Sequence, residues 1–576
     1  MIRGDGGSRT GRARRVLLVL LGVPIGFLAV AGRPRPRGRA GPADGRAMTE
    51  PPARPLDTTS TPEPSVARRD RALALWPLRK RFWDALAIVK VRLNKPAVIP
   101  IPRETVPPLR PVPMASRFPG IPIPNIRVGD HVPADETSSP KHYFYACQAW
   151  LYRVFSPMQS GLPSIDADPE RALREAYTDA HRRCFPPPMR PPELAGSPDL
   201  GRLAVAGPYA GYLERAPEGG YQWDLRELAR YEPHGGLRSL GVKVLFRLDE
   251  ASRRLHPARI ESELGACGPT DPPWELAQRI ALCAASTHTS LVRHFNWVHL
   301  AAGEPLAIAT RSCLPADHPL CRLIWPHMFG TQDSNALVIR GQMEKDGDFD
   351  STFSFTHEGL CRLFRDSYET FRFVVNDPIQ DAARRGILGG GFDTPGLSNL
   401  VDLFDVMRRH AQRYIGAYYE TDDDLRKDPH VQRWVASLDE LVPNGVGDVA
   451  GGPVTAESLS RLVARFMYMA TVQHELLGTL LWNYQLWVHV QPARVYRDGR
   501  REPLDVYQRL VNANLVLNAR RKPLLDDLSG LALDARGRHA FDAFRQELRA
   551  LQARMDTEPP AAWKVYPNIL KANINA

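Results

Sequence analysis

The chain has 576 residues, of which 43% are hydrophobic and 24% charged, enough apolar material for one large domain or several. Its formal charge of +11 is unevenly placed: residues 1–110 hold 22 Lys and Arg against 8 Asp and Glu, and the remainder holds 53 against 56. The basicity therefore belongs to an N-terminal arm, and with no RRM, KH, zinc-finger or helix-turn-helix signature the composition argues against a nucleic-acid partner.

In chain order, arginines through Arg14 and Arg15 precede the apolar run 16 VLLVLLGVPIGFLAVAG 32. The run contains Pro24 and is short for a membrane-spanning helix. Its charged start and small-residue end at Ala29 and Ala31 fit a secretory signal, so 1–32 is expected to be a signal peptide or N-terminal anchor, and export is the expectation. The other reading places the true start at Met48. Residues 33–68 are rich in Pro, Gly, Arg, Ser and Thr without periodicity, a disordered linker. The stretch 72 ALALWPLRKRFWDALAIVKVRLNK 95 is apolar, basic and helix-compatible. It suits either a peripheral contact with anionic lipid or a helix packed on the body. Residues 96–125 are Pro-rich and extended, so 69–125 is expected to be a basic helix followed by an arm.

From about 140 the pattern is helical, giving a domain over 126–576. One hairpin-like pair, 242–249 and 255–262, interrupts it. Long helical patterns cover 273–303, 356–375, 398–418, 456–487 and 503–516. The expected fold is mainly α, one large domain with a small antiparallel β element. Seven cysteines, Cys147, Cys184, Cys267, Cys283, Cys313, Cys321 and Cys361, show no paired spacing, which argues against a disulfide framework.

Within 294 HFNWVHLAAGEP 305, His294 and His299 stand five residues apart. In a regular α-helix five steps leave two side chains about 140° apart. A π-segment at roughly 4.4 residues per turn brings them to one side, and such segments tend to mark functional sites; two unrelated histidines, one buried and one wet, are the plainer alternative. The helix 460–487 is apolar nearly all round, as a buried helix is, yet carries His474 and Glu475 at its middle. Both are costly there unless partnered, and ligation to a metal is one solution. His474-Glu475 does not open a zincin motif, because HExxH needs a second histidine where this chain has Gly478.

These residues carry a family resemblance. His294 and His299 followed by 304 EPLAIAT 310, then 318 HPLCRLIWPHMFGTQDSNAL 337, then 414 YIGAYYETDDDLRKDPHVQRW 434, then His474, and the ending 572 ANINA 576 resemble, in order, the lipoxygenase iron helix and the segments that follow it. The stretch 199 DLGRLAVAGPYAGYL 213 is a fainter echo of the family's first catalytic segment. The likeness is to the single-domain bacterial type, since the stretch 69–125 does not read as the N-terminal PLAT β-sandwich. It implies a non-haem iron centre, with manganese as the other candidate, held by His294, His299, His474 and the α-carboxylate of Ala576. Imidazole and carboxylate donors suit those metals. It further implies a dioxygenase that inserts O2 into a polyunsaturated fatty acid to give a hydroperoxide; the chain is expected to be a monomer.

The chain also departs from the pattern. The family's fourth side-chain ligand is usually Asn, four residues after the third histidine, where this chain has Gly478. Water could take that place, or a shift of helix register could bring Asn483 near. Val338 falls by alignment close to a position associated with oxygenation stereochemistry. Glu304 reads as a helix-end structural residue, and Asp422, Asp423 and Asp424 as a cap or solvated turn. Three readings remain beside dioxygenation: a homologue that transforms lipid hydroperoxides, a non-catalytic lipid-binding protein with a degenerate metal site, and a peripheral membrane scaffold using residues 72–95.

Overall fold

In the computed structural model the described residues are 66–93, 98–137, 139–447, 452–517 and 521–574. The signal-like segment and most of the expected linker lie outside them. The longer helices are α1 (Val66–Leu93), α2 (Ser139–Val154), α3 (Trp274–His288), α4 (Glu304–Cys313), α5 (Pro319–Met328), α6 (Thr331–Val338), α7 (His357–Glu369), α8 (Pro395–Tyr418), α9 (Pro429–Leu441), α10 (Ala456–Tyr468), α11 (Leu504–Leu517) and α12 (Ala535–Met555). Their starts follow from local chemistry. Thr356 accepts the Gly359 amide at the head of α7. Thr455 and Ser458 form a reciprocal capping box on α10, and Pro at the first helical position opens α8 and α9, where a missing N–H costs nothing.

The hairpin expected at 242–262 is present, as β5 (Val242–Asp249) paired with β6 (Arg254–Ser262), but it is the centre of a larger sheet. The strands β3 (Glu214–Arg215), β4 (Tyr221–Leu225) and β7 (Gly265–Cys267) extend it to five antiparallel strands in sequence order. Those additions are two to five residues long, too short for a period-2 pattern to register. A register shift between Leu245 and Phe246 sets Ala258 outside the ladder of β6.

Residues 98–129 are not a free arm. Ile121, Ile123 and Ile126 are fully buried, and β1 (Pro111–Pro113) pairs with β2 (Arg127–Gly129). The described residues from 66 onward belong to one compact unit, with residues 98–129 packed within it. Proline-rich composition reads as an arm because it lacks periodicity, yet its interleaved isoleucines pack as a strap. Helix α1 packs one face, including Trp83 and Val91, on the body and exposes the other.

The helix expected over 456–487 is continuous only to Leu477. After α10 come a π-turn at Met469–Gln473 and a short α-turn at His474–Leu477. Gly478 then leaves helical geometry with φ −111° and ψ −80°. Nearly every side chain from Leu459 to Leu477 is buried, making this the central rod of the core. The segment at 572–574 is drawn in beside it. Ala572, Asn573 and Ile574 are buried, and the Ala572 amide donates to Lys522 O and the Leu524 amide to Leu570 O, both at 2.9 Å.

Candidate metal centre

The five-residue spacing finds the backbone it requires. Residues Thr289–Gly303 form a 15-residue π-helix, and the Glu304 amide still bonds back five residues to His299 O. The imidazoles of His294 and His299 thus share a face, with ring centroids 5.2 Å apart. The π-turn at 469–473 widens the central rod immediately before His474 and delivers that ring 4.8 Å from His294 and 5.1 Å from His299. One ligand nitrogen from each of the three lies within 4.8 Å of the others, and Nε2 of His474 is 3.2 Å from Nε2 of His299.

The protein fixes how the rings present themselves. Nδ1–H of His299 donates to Asn335 Oδ1 at 2.9 Å. The Asn335 amide donates to Glu304 Oε2 at 2.5 Å and to His299 O at 3.2 Å, so its orientation follows from its partners. Glu304 Oε1 accepts the Gly129 amide of β2 at 2.7 Å. With Nδ1 spoken for, the Nε2 lone pair of His299 points into the cluster. Nδ1 of His474 lies 3.0 Å from Glu475 Oε1 and 2.9 Å from Arg521 Nη1. Nε2 of His294 is buried without a hydrogen-bond partner.

Burial holds all three imidazoles in the neutral, ligating form. It lowers His299 to about 4 and His294 well below the ordinary histidine value, with His474 and His299 adding to the effect. Burial, then the Arg521 charge, does the same to His474. A buried, partnerless nitrogen is expensive. Three neutral nitrogens converging on one point, one of them otherwise unsatisfied, fit a cation with imidazole-compatible chemistry such as iron or manganese.

The remaining sequence candidates are placed as follows. At Gly478 an added Cβ would meet His294 Cε1 at 3.1 Å, Nε2 at 3.2 Å and His474 O at 2.8 Å, so the His294 ring stands where a fourth side chain would start. The structure does not bring Asn483 in. Its Oδ1 accepts the Met189 amide at 2.8 Å and its Nδ2 faces Ala562 O at 3.4 Å, because the chain turns at Gly478 instead of shifting register. Val338 is buried at the end of α6, three residues beyond Asn335. Ala576 lies outside the described residues. The chain leading to it is held by His327 Nδ1 at Ala572 O, 2.8 Å, and by Asn573 Nδ2 at Phe329 O, 2.7 Å. Ile574 packs against Gly303, the last residue of the π-helix. Glu304 is structural as expected. Asp424 closes a capping box with Thr421, Asp422 accepts the Ala456 amide and Asp423 pairs with Arg426 and Lys427. Sequence reasoning misses Asn335 as the partner of His299, although it lies in the stretch 318–337 that carries the resemblance, and Arg521, which has no local signal.

Residues 226–514, half of the chain, match the Lipoxygenase family. Among curated relatives, bovine polyunsaturated fatty acid lipoxygenase ALOX15 is 30% identical over 221 residues, covering 37% of this chain and 33% of the relative. Soybean linoleate 9S-lipoxygenase-4 is 27% identical over 216 residues, covering 35% and 25%. The chain thus spans about a third or less of the length of these relatives. The fold is similar to that of coral 8R-lipoxygenase, with a TM-score of 0.65, 14% identity and coverage of 81% and 79%. It is also similar to the manganese lipoxygenase of Gaeumannomyces graminis, with a TM-score of 0.61, 14% identity and coverage of 81% and 96%. The family match, with its histidines converging as the five-residue spacing requires, places this chain in the lipoxygenase family.

Proposed function

We propose that the protein is a non-haem metal dioxygenase that adds O2 to polyunsaturated fatty acids to give lipid hydroperoxides, with iron, or manganese, held by His294, His299, His474 and the carboxylate of Ala576. The observation that carries this reading is the convergence of three neutral, buried imidazoles on one point, one of them with an Nε2 that has no hydrogen-bond partner. A redox-active cation bound there supplies the one-electron chemistry that removes a hydrogen atom from a methylene between two cis double bonds. The chain's own residues do the rest. Asn335 accepts the outer N–H of His299 and so turns that ligand's inner nitrogen toward the cation. Phe295, Phe349 and Phe364, mutually packed beside His299, exclude water from that side. Gly478 leaves room for the His294 ring.

Oxygen uptake with a panel of fatty acids, followed by conjugated-diene absorbance, tests the reading. Uptake coupled to diene formation is expected. Consumption of lipid hydroperoxide without O2 uptake on free fatty acid would replace dioxygenation by hydroperoxide transformation.

We also infer that α1 touches lipid. Its outward stripe is Arg71, Leu75, Leu78 and Arg81, all exposed. Neighbouring α2 exposes Tyr143, Trp150 and Val154, a basic and apolar face of the kind that rests on anionic headgroups. Arg79 and Lys80 belong to the packing instead, at Ser156 O and at Asp84. Reversing Arg71 and Arg81 is expected to abolish binding to phosphatidylserine vesicles while leaving stability unchanged, and unchanged binding would remove the inference. Export through the segment 1–32 is proposed on its pattern alone, and N-terminal sequencing of secreted protein tests it.

A further inference from the structure

Beside His474 the chain buries a charged pair whose geometry exceeds what packing alone calls for. Glu475 is fully buried. Its Oε1 is 2.8 Å from Arg521 Nη2 and 3.0 Å from His474 Nδ1, and its Oε2 accepts the Thr479 hydroxyl. Arg521 Nη1 also approaches His474 Nδ1, at 2.9 Å. One ring nitrogen therefore faces an acceptor and a donor at once.

A neutral imidazole carries a single N–H. With that hydrogen on Nε2, it points at His299 Nε2, 3.2 Å away, and Nδ1 accepts from Arg521. With the hydrogen on Nδ1, it donates to Glu475, and the Nε2 lone pair is free for a cation. The two tautomers differ by the position of one proton, and none is gained or lost. Glu475 favours the ligating form and Arg521 the other, while Arg521 also neutralises the carboxylate that would otherwise stand buried and alone. Arg521 opens the segment whose next residues, Lys522 and Leu524, bond to Ala572 and Leu570 of the C-terminal tail. The pair consequently joins His474 to the segment that seats the tail.

We infer that Glu475 and Arg521 are positioning residues for the metal centre: the carboxylate holds His474 in its ligating tautomer, and the guanidinium ties that ligand to the tail-bearing segment. The inference rests on the reading of His474 as a ligand. An ion pair serving the fold alone has no reason to share the ligand's outer nitrogen.

The test is Mn(II) affinity of metal-stripped protein, with free ion read from its EPR signal and folding checked by circular dichroism. Replacing both charges together, E475M/R521M, avoids a lone buried charge and keeps volume, so it is expected to fold. It should bind Mn(II) about 10–100-fold more weakly, the usual cost of removing a ligand's outer partner. E475Q/R521Q, which retains an acceptor oxygen at 475, should recover most of that loss. Wild-type affinity in folded E475M/R521M, while His474→Ala loses binding, would overturn the inference. Wild-type affinity in His474→Ala would overturn the ligand reading beneath it.

Discussion

Gly478 shows how little room one residue leaves. Where the family places a fourth side-chain ligand, this chain brings the His294 ring to within 3.1 Å of the missing Cβ. Gly478→Ala therefore has to displace a ring or a carbonyl, with an overpacking cost of about 1–3 kcal/mol. Lower thermal stability and lower metal content are both expected, and Gly478→Asn should not gain a ligand. Asn335 offers the converse test. It holds His299 from outside without touching the cluster's centre, and Asn335→Ala is expected to weaken metal affinity about 10–100-fold, read by titration of the metal-stripped protein. The histidines are legible in the sequence because a five-residue spacing has no use on a regular helix, and because a histidine inside an apolar rod needs a partner. Arg521 is not legible. It sits 47 residues beyond His474 and arrives there through backbone pairing with the tail, which no local pattern announces.

Among the elements, the π-helix at 289–303 does more than align two rings. Its last residue, Gly303, accepts the side chain of Ile574: a Cβ there would lie 2.2 Å from Ile574 Cδ1. Gly303→Ala is expected to unseat the tail, which limited proteolysis of the last residues would report together with loss of metal. The tail is also held by His327, fully buried and lowered by burial to about 4. Its ordinary value is ~6.5, so between about pH 6.5 and 4 the unfolded chain binds a proton that the folded chain refuses. Stability from this group is complete above the upper limit and declines as pH falls through the window, by about 3 kcal/mol in all. His327→Asn, whose amide can still donate to Ala572 O, should flatten the melting temperature against pH over that range. Long helices with caps were readable in advance. The π-turns at 339–343 and 469–473 were not, since a π-turn of five residues leaves no periodic trace, and neither were strands of two or three residues.

For the whole molecule, the described residues from 66 onward form one compact unit, which brings widely separated segments onto one cluster. The strap at 98–129 supports Glu304 through Gly129, Glu304 supports Asn335, and Asn335 supports His299. The segment at 521–524 joins the tail through its backbone and reaches His474 through Arg521. Proline-rich composition conceals the strap's role, since its buried isoleucines follow no helical or strand period. Such a layout makes the metal site a product of tertiary packing, with ligands supplied by distant segments, and it sets the decisive measurement: elemental analysis of the purified protein beside His294→Ala and His474→Ala. About one iron or manganese per chain, lost in both variants while their circular dichroism persists, is the predicted result. Wild-type protein that takes up neither metal, or variants that keep a full complement, would contradict the account.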